Sequence, residues 1–288
     1  MCKQKLSIVS LSGGKDSTAM YLGMIERGMP IDCVLFCDTG LEFPAMYDHL
    51  ARLEKETGRR ITRIKAEHSY EYLMFDAPVR RGRDSPIVKK YGAGIHGFGW
   101  PGPRQRWCTS RLKDKPREKF LRELREQYTI MEYIGIAADE QHRLERARNQ
   151  CPNHVHPLVD WGMTEADCLQ YCYEHGYDWD GLYRHFSRVS CWCCPLQSLD
   201  ESRQLYRHFP ELWEQLKAWD KRTWRKFRAD YSIEELEKRF DLEEEWQKAG
   251  DPLGTRAFFA ALKERLERWK YHIQDTDPLP SRFPKIKT

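Results

Sequence analysis

Ser12-Gly13-Gly14-Lys15-Asp16-Ser17 stands between a short apolar run, Leu6 to Leu11, and a helical stretch from about Asp16 to Arg27. Two glycines let a backbone turn sharply and approach a bound group with no Cβ in the way. The opening turn of a helix presents N–H groups that favour anionic oxygens. Lys15 adds a positive charge, and the hydroxyls of Ser12 and Ser17 add donors, so the stretch predicts a phosphate-binding loop. It is not of the Walker type, because Asp16 occupies the position that Ser or Thr takes there. A purely structural turn would explain the glycines but not Lys15, Asp16 and both serines together.

Outward from the loop, strand and helix patterns alternate. Ile31 to Cys37 is a second apolar run that ends at Asp38-Thr39-Gly40. A helix is expected from about Phe43 to Thr57, a strand over Arg60 to Lys65, a charged helix over Lys113 to Gln127 and a strand over Tyr128 to Ile136. Strands separated by helices imply an α/β fold: a doubly wound, mostly parallel sheet covered on both faces. Asp76 to Trp107 interrupts the pattern with six glycines, four prolines and seven Lys or Arg against two Asp. So long a connection is usually functional or mobile. It reads as a surface loop or as a lid over a phosphate-bearing ligand. After about Asp200 the pattern is helical, with Pro210 suited to a first helical position and a last helix from about Thr255 to Tyr271. The expected division is therefore residues 1–200 and 201–288.

Apolar stretches such as Cys33 to Cys37 are far too short for a membrane span of roughly 20 residues. No secretory signal is visible at Met1 to Lys5, so a cytoplasmic protein is expected. Ten cysteines then argue for metal binding or redox chemistry over a disulfide framework. Cys33, Cys37, Cys168 and Cys172 fall in strand and helix patterns, where a thiol packs as a small hydrophobe. Cys191-Trp192-Cys193-Cys194-Pro195 differs. Cys191 and Cys194 have the C-x-x-C spacing that lets two sulfurs face one metal or cluster, and Cys108 could supply a third. Spacing alone leaves a zinc ion, an iron–sulfur cluster, a reactive dithiol and a buried pair all open. Lys217, Lys221, Arg222, Arg225, Lys226 and Arg228, with Trp219 and Trp224 among them, could track and stack a nucleic acid. A solvated helix face is the competing reading, and the net charge of +4 decides nothing.

The loop resembles the signature of the PP-loop ATP pyrophosphatases, which cleave ATP between its α and β phosphates. Asp38-Thr39-Gly40 with Glu42 and Pro44 resembles the phosphoadenosine-phosphosulfate (PAPS) reductase branch. So do Gly135 and Asp139-Glu140 with Arg143, and the resemblance spans about residues 5 to 198. It implies that ATP and Mg²⁺ lie on Ser12 to Ser17, near Asp38, Thr39, Gly135 and Arg143, with Lys15 and Asp16 as the catalytic pair. It also implies a [4Fe-4S] cluster on Cys108, Cys191 and Cys194, with Cys193 or Cys151 as fourth ligand and zinc as the alternative metal.

The chain departs from PAPS reductases in lacking their C-terminal Glu-Cys-Gly-Leu-His element, since its last cysteine is Cys194. The leading expectation is accordingly an ATP pyrophosphatase that adenylates an acceptor, with tRNA or DNA considered, for sulfur transfer. The alternatives are an atypical sulfonucleotide reductase and a nucleotide-binding regulatory or defence-system subunit without turnover. No membrane partner is expected, and a homodimer is carried as an expectation.

Overall fold

The computed structural model describes residues 3–150 and 153–276. In chain order the elements are β1 (Gln4–Ser10), α1 (Lys15–Glu26), β2 (Cys33–Asp38), α2 (Pro44–Thr57), β3 (Ile61–Lys65), α3 (Pro86–Tyr91), α4 (Lys115–Arg125), β4 (Tyr128–Ile134) and α5 (Gln141–Gln150). There follow β5 (His154–Val155), α6 (Pro157–Asp160), α7 (Glu165–Glu174), α8 (Leu199–His208), α9 (Pro210–Arg222), α10 (Ile233–Ala249) and α11 (Arg256–Thr276).

The five strands form one parallel sheet in the order β3-β2-β1-β4-β5. The expected α/β class is therefore the observed one, and the four strands read from the sequence fall within two residues of their places. The fifth, His154–Val155, is too short to leave a pattern. Along the strands, Ile8, Leu35 and Ile130 pack with Leu121 of α4. The alternation of strand side chains sends Val9, Val34 and Phe36 to the other face. The chain moves from β1 to β2 to β3 and then returns to the far side of β1, so the strand order reverses between β1 and β4. Open α/β sheets bind ligands at such a reversal, beyond the carboxyl ends of the strands. The stretch Leu11 to Gly14 and Gly135 both lie there.

Local chemistry explains the ends of the helices. Pro44 opens α2, and Gly58, at φ +64°, closes it in the left-handed region. Ser198 and Ser232 each form a capping box, with Glu201 and Glu235. Pro210 opens α9 as expected, but the helix stops at Arg222, where Thr223 turns extended. The basic stripe thus does not continue down one helix face.

The chain divides into two compact units, Met1–Tyr70 with Arg106–Trp192, and Glu71–Gln105 with Cys193–Thr288. A single break near residue 200 misses the first part of the second unit. Of the Gly/Pro-rich connection, read from the sequence as a surface loop or a lid, much of the stretch from Ile95 to Gly102 is buried in that unit, while residues 78–94 are exposed or half-buried. Trp100 is fully buried there, and its Nε1 donates to Asp220 Oδ1 at 2.8 Å. Asp220 also accepts from the N–H groups of Phe227 and Ile233. Gly97 passes so near the backbone that a Cβ would lie 2.0 Å from the carbonyl oxygen of Met74. Among the described residues no helix is long and apolar enough to cross a membrane.

Candidate functional site

β1 delivers the chain into the loop and α1 begins at Lys15. Gly13 sits at φ +80°, and a Cβ on it would lie 2.5 Å from Met46 Sδ, so both conformation and space demand glycine. The serines turn inward. Ser17 Oγ accepts from the Ser12 N–H at 3.1 Å, shares a hydrogen bond with Ser12 Oγ and donates to the Gly14 carbonyl at 3.0 Å. They brace the loop from within, whereas the sequence suggested that they reach for phosphate.

Lys15 carries the loop's charge. Its side chain is 7% exposed, with Nζ 2.5 Å from Glu165 Oε2 and 3.5 Å from Asp16 Oδ1. Burial works to lower its pKa, but hydrogen bonding to Glu165 and the field of Asp16 outweigh burial and leave it raised. Its backbone N–H donates to the hydroxyl of Tyr183 at 2.7 Å. One of the amides at the start of α1 is therefore held by a neutral oxygen of the protein, where the helix end favours an anion.

Asp16 is the strained member. Burial, with the charges of Glu165 and Glu140 acting in the same sense, pushes its pKa up to about 6 against the pull of Lys15. Its buried Oδ1 accepts no hydrogen bond among the described residues. A carboxylate whose folded pKa is raised is stabilising below its unfolded value, near 3.8, and that contribution is lost as pH rises through about 6. Asp16→Asn should thus raise neutral-pH stability by on the order of 2 kcal/mol. Thermal melts at pH 5 and pH 8 check this, since the gain should be clearly larger at the higher pH.

The segment after α7 builds the wall beside the loop. Trp179 Nε1 donates to the Gly13 carbonyl at 2.8 Å, and the Cys172 thiol donates to the Lys15 carbonyl. Trp179 and Asp180 both take positive φ, 52° and 53°, followed by Gly181 at 76°. Non-glycine residues in that region cost energy and tend to gather at functional sites. Cys168 and Cys172 are fully buried, burial raises both thiols, and Cys172 is pushed up to about 12. They pack as small hydrophobes, as expected.

Gly135, after β4, has a packing role: a Cβ there would lie 2.9 Å from the Ser17 backbone. That close approach seats α1 against the strand end. Asp139 accepts from the Glu165 N–H at 3.0 Å and so holds the start of α7, from which Glu165 reaches Lys15. Arg143 is exposed and paired with Glu140. Asp38 lies at the end of β2, where Oδ1 accepts from the Gly40 N–H and the Tyr47 hydroxyl and Oδ2 pairs with Lys65 at 3.1 Å. Thr39 donates to Glu42 at 2.9 Å and lies 3.8 Å from Cys191 Sγ. Asp38 and Thr39 thus form a braced turn beside Cys191.

Around Lys113, burial lowers the ammonium pKa, but the negative fields of Cys191, Glu42, Cys37 and Cys108 together raise it above its ordinary value. Cys108 and Cys191 therefore share one electrostatic neighbourhood in the first unit. Cys193 and Cys194 belong to the second unit, and Cys151 lies outside the described residues. Among the described residues no three His, Cys, Asp or Glu side chains converge as a metal would require. The thiolate set expected for a cluster or a zinc ion is not assembled, and no step is derived through either.

Glu165, Trp179 and Tyr183 escaped the sequence reading. Asp180-Gly181 was the one local hint, a turn dipeptide at the required place. Glu165 meets Lys15 across 150 positions and left none.

A parallel α/β sheet carrying an anion-seeking glycine loop at its strand reversal defines a nucleotide-binding protein of the PP-loop class. Residues 7–197 match the phosphoadenosine phosphosulfate reductase domain model, and the chain belongs to that family. It is 27% identical to an uncharacterized protein of Methanocaldococcus jannaschii over 94% of this chain and 47% of that protein. A second uncharacterized protein of that organism is 27% identical over 74% of this chain and 47% of its own length. An uncharacterized 37.8 kDa protein of Escherichia phage 186 is 26% identical over 75% of each chain. The chain spans about half the length of the two archaeal relatives.

Proposed function

We propose that the protein is an ATP pyrophosphatase that adenylates an acceptor for sulfur transfer. An acceptor oxygen attacks the α phosphorus of ATP, the bond to the β-phosphate oxygen breaks, and pyrophosphate leaves. A sulfur nucleophile then displaces AMP from the activated acceptor. Lys15 and the amides of α1 stabilise the charge that develops on the phosphates, a preorganised electrostatic contribution. Asp16 fits Mg²⁺, because magnesium is usually held by one or two carboxylates together with substrate phosphates and its buried Oδ1 accepts no hydrogen bond among the described residues, with Lys15 Nζ no nearer than 3.5 Å. Bound there, the ion would neutralise phosphate charge.

The observation that carries this reading is the pairing of the loop with groups a phosphate could stand in for. The Glu165 carboxylate and the Tyr183 hydroxyl hold the Lys15 ammonium and amide, and a triphosphate can replace both. Family membership supports a second reading, a sulfonucleotide reductase, which would use the same loop for PAPS. The test is product analysis with Mg²⁺ and candidate acceptors. Equimolar AMP and pyrophosphate from ATP is the expected result, while thiol-dependent sulfite release from PAPS with no pyrophosphate from ATP would establish the reductase.

A further inference from the structure

The second unit contains a cleft of about 630 Å³ bounded by the connection after α3, the Pro195-Leu196-Gln197 stretch and the link between α9 and α10. That volume suits a small ligand or a short length of a larger one. Four cations line it, Lys90, Arg225, Lys226 and Arg228, against one carboxylate, Asp230. Two are already compensated. Lys226 pairs with Glu235 at 2.9 Å, and Arg228 pairs with Asp230 while donating to the Gln197 carbonyl.

Arg225 and Lys90 are different, because neither has a carboxylate partner among the described residues. Arg225 Nη1 donates to Gln105 Oε1 at 3.0 Å, and a Cβ on Gly102 would lie 2.4 Å from Nη2. The guanidinium has a neutral partner in Gln105 and passes close to Gly102, with donors to spare. Lys90 Nζ lies 4.9 Å from the centre of the Tyr91 ring. Next to the lining residue Pro103, the exposed Arg104 also has no carboxylate partner among the described residues.

The walls narrow the choice of ligand. Pro101, Pro103 and Pro195 have no N–H to offer, so an extended peptide would find few main-chain partners of the kind strand addition needs. Pro103 presents apolar surface instead, beside the half-buried Tyr91 ring and the exposed side chain of Leu196, with the buried Pro101 and Pro195 behind. Cations without acidic partners among the described residues, beside apolar walls, suit a ligand that alternates phosphates with planar rings. The geometry points to a binding site for single-stranded nucleic acid in this cleft. Trp219 and Trp224, expected from the sequence to stack bases, are 4% and 8% exposed and belong to the core. Tyr91 takes that role.

The inference is independent of the loop reading. Fluorescence anisotropy of a labelled mixed-sequence oligonucleotide of about 12 nucleotides tests it on the full chain, between about 50 and 200 mM salt. The wild type should bind with an affinity that falls as salt rises. The double variant Lys90→Gln with Arg225→Gln should bind roughly 10- to 100-fold more weakly at low salt. Its salt slope should be smaller by about 1.4, at about 0.7 per lost phosphate contact on a single strand. Arg104→Gln, at an exposed position, gives a smaller loss and covers the case in which the double variant melts early. Lys15→Ala should leave strand binding unchanged, so the two readings fail separately. No binding by the wild type, equal binding by the variants, or equal affinity for a mononucleotide or an acidic peptide would overturn the assignment.

Discussion

Lys15→Ala is expected to weaken ATP binding by roughly 10- to 100-fold, the value of one charge-assisted hydrogen bond to phosphate in a partly desolvated site. Turnover should fall at least as far, because the same ammonium faces charge that grows as pyrophosphate departs. The protein should remain folded. Glu165 keeps about 44% side-chain exposure and can turn to water, and Asp16, already pushed up to about 6, can take a proton more readily still. Lys15→Arg should restore little, because a side chain 7% exposed leaves no room for a planar guanidinium. Isothermal titration with a non-hydrolysable analogue reads the effect. Unchanged affinity in a protein of unchanged melting temperature would remove the loop from the site.

Short-range order was legible in the sequence, and long-range pairing was not. Ser12 to Ser17 announced itself because glycine permissiveness, a lysine and a helix start coincide within six residues. Gly135 was legible as a position but not as a role: sequence suggested a nucleotide contact, and the backbone of Ser17, 2.9 Å from its missing Cβ, gives a packing reason. Tyr183 and Glu165 act on Lys15 from 168 and 150 residues away, and nothing in their surroundings marks them. C-x-x-C spacing permits convergence without fixing it, and among the described residues no group of three such side chains comes together. The basic stripe left two readings open for a related reason. Charge is visible in sequence, whereas the acids that neutralise Lys217, Lys221 and Lys226, namely Glu237, Glu234 and Glu235, come from the next helix.

Glu132→Ala should cost the fold about 3 to 5 kcal/mol, the usual penalty for removing one partner of a buried ion pair. Glu132 is 2% exposed in the middle of β4, opposite Ile8 of β1 and His154 of β5. Its carboxylate accepts from the Ser10 hydroxyl at 2.5 Å, takes both donors of the Arg117 fork and lies 3.4 Å from His154 Nε2. Burial alone would raise its pKa, but His154, Arg117 and Ser10 together hold it down at about 2. A depressed carboxylate stabilises above its unfolded pKa, near 4.5, and that stability drains away as pH falls toward 2. Over that window the slope it contributes is about 1.4 kcal/mol per pH unit. Urea unfolding across pH 2 to 7 should therefore show a lower and flatter acid limb for Glu132→Ala. Glu132→Gln should be intermediate at neutral pH, because the amide can still accept from Ser10 and Arg117. β4 ends at Gly135, against the start of α1, so any ATP affinity lost in these variants should return when they are assayed at temperatures where they are fully folded. An alanine variant with wild-type stability and an unchanged acid limb would mean that the Arg117–Glu132–His154 network does not hold the sheet.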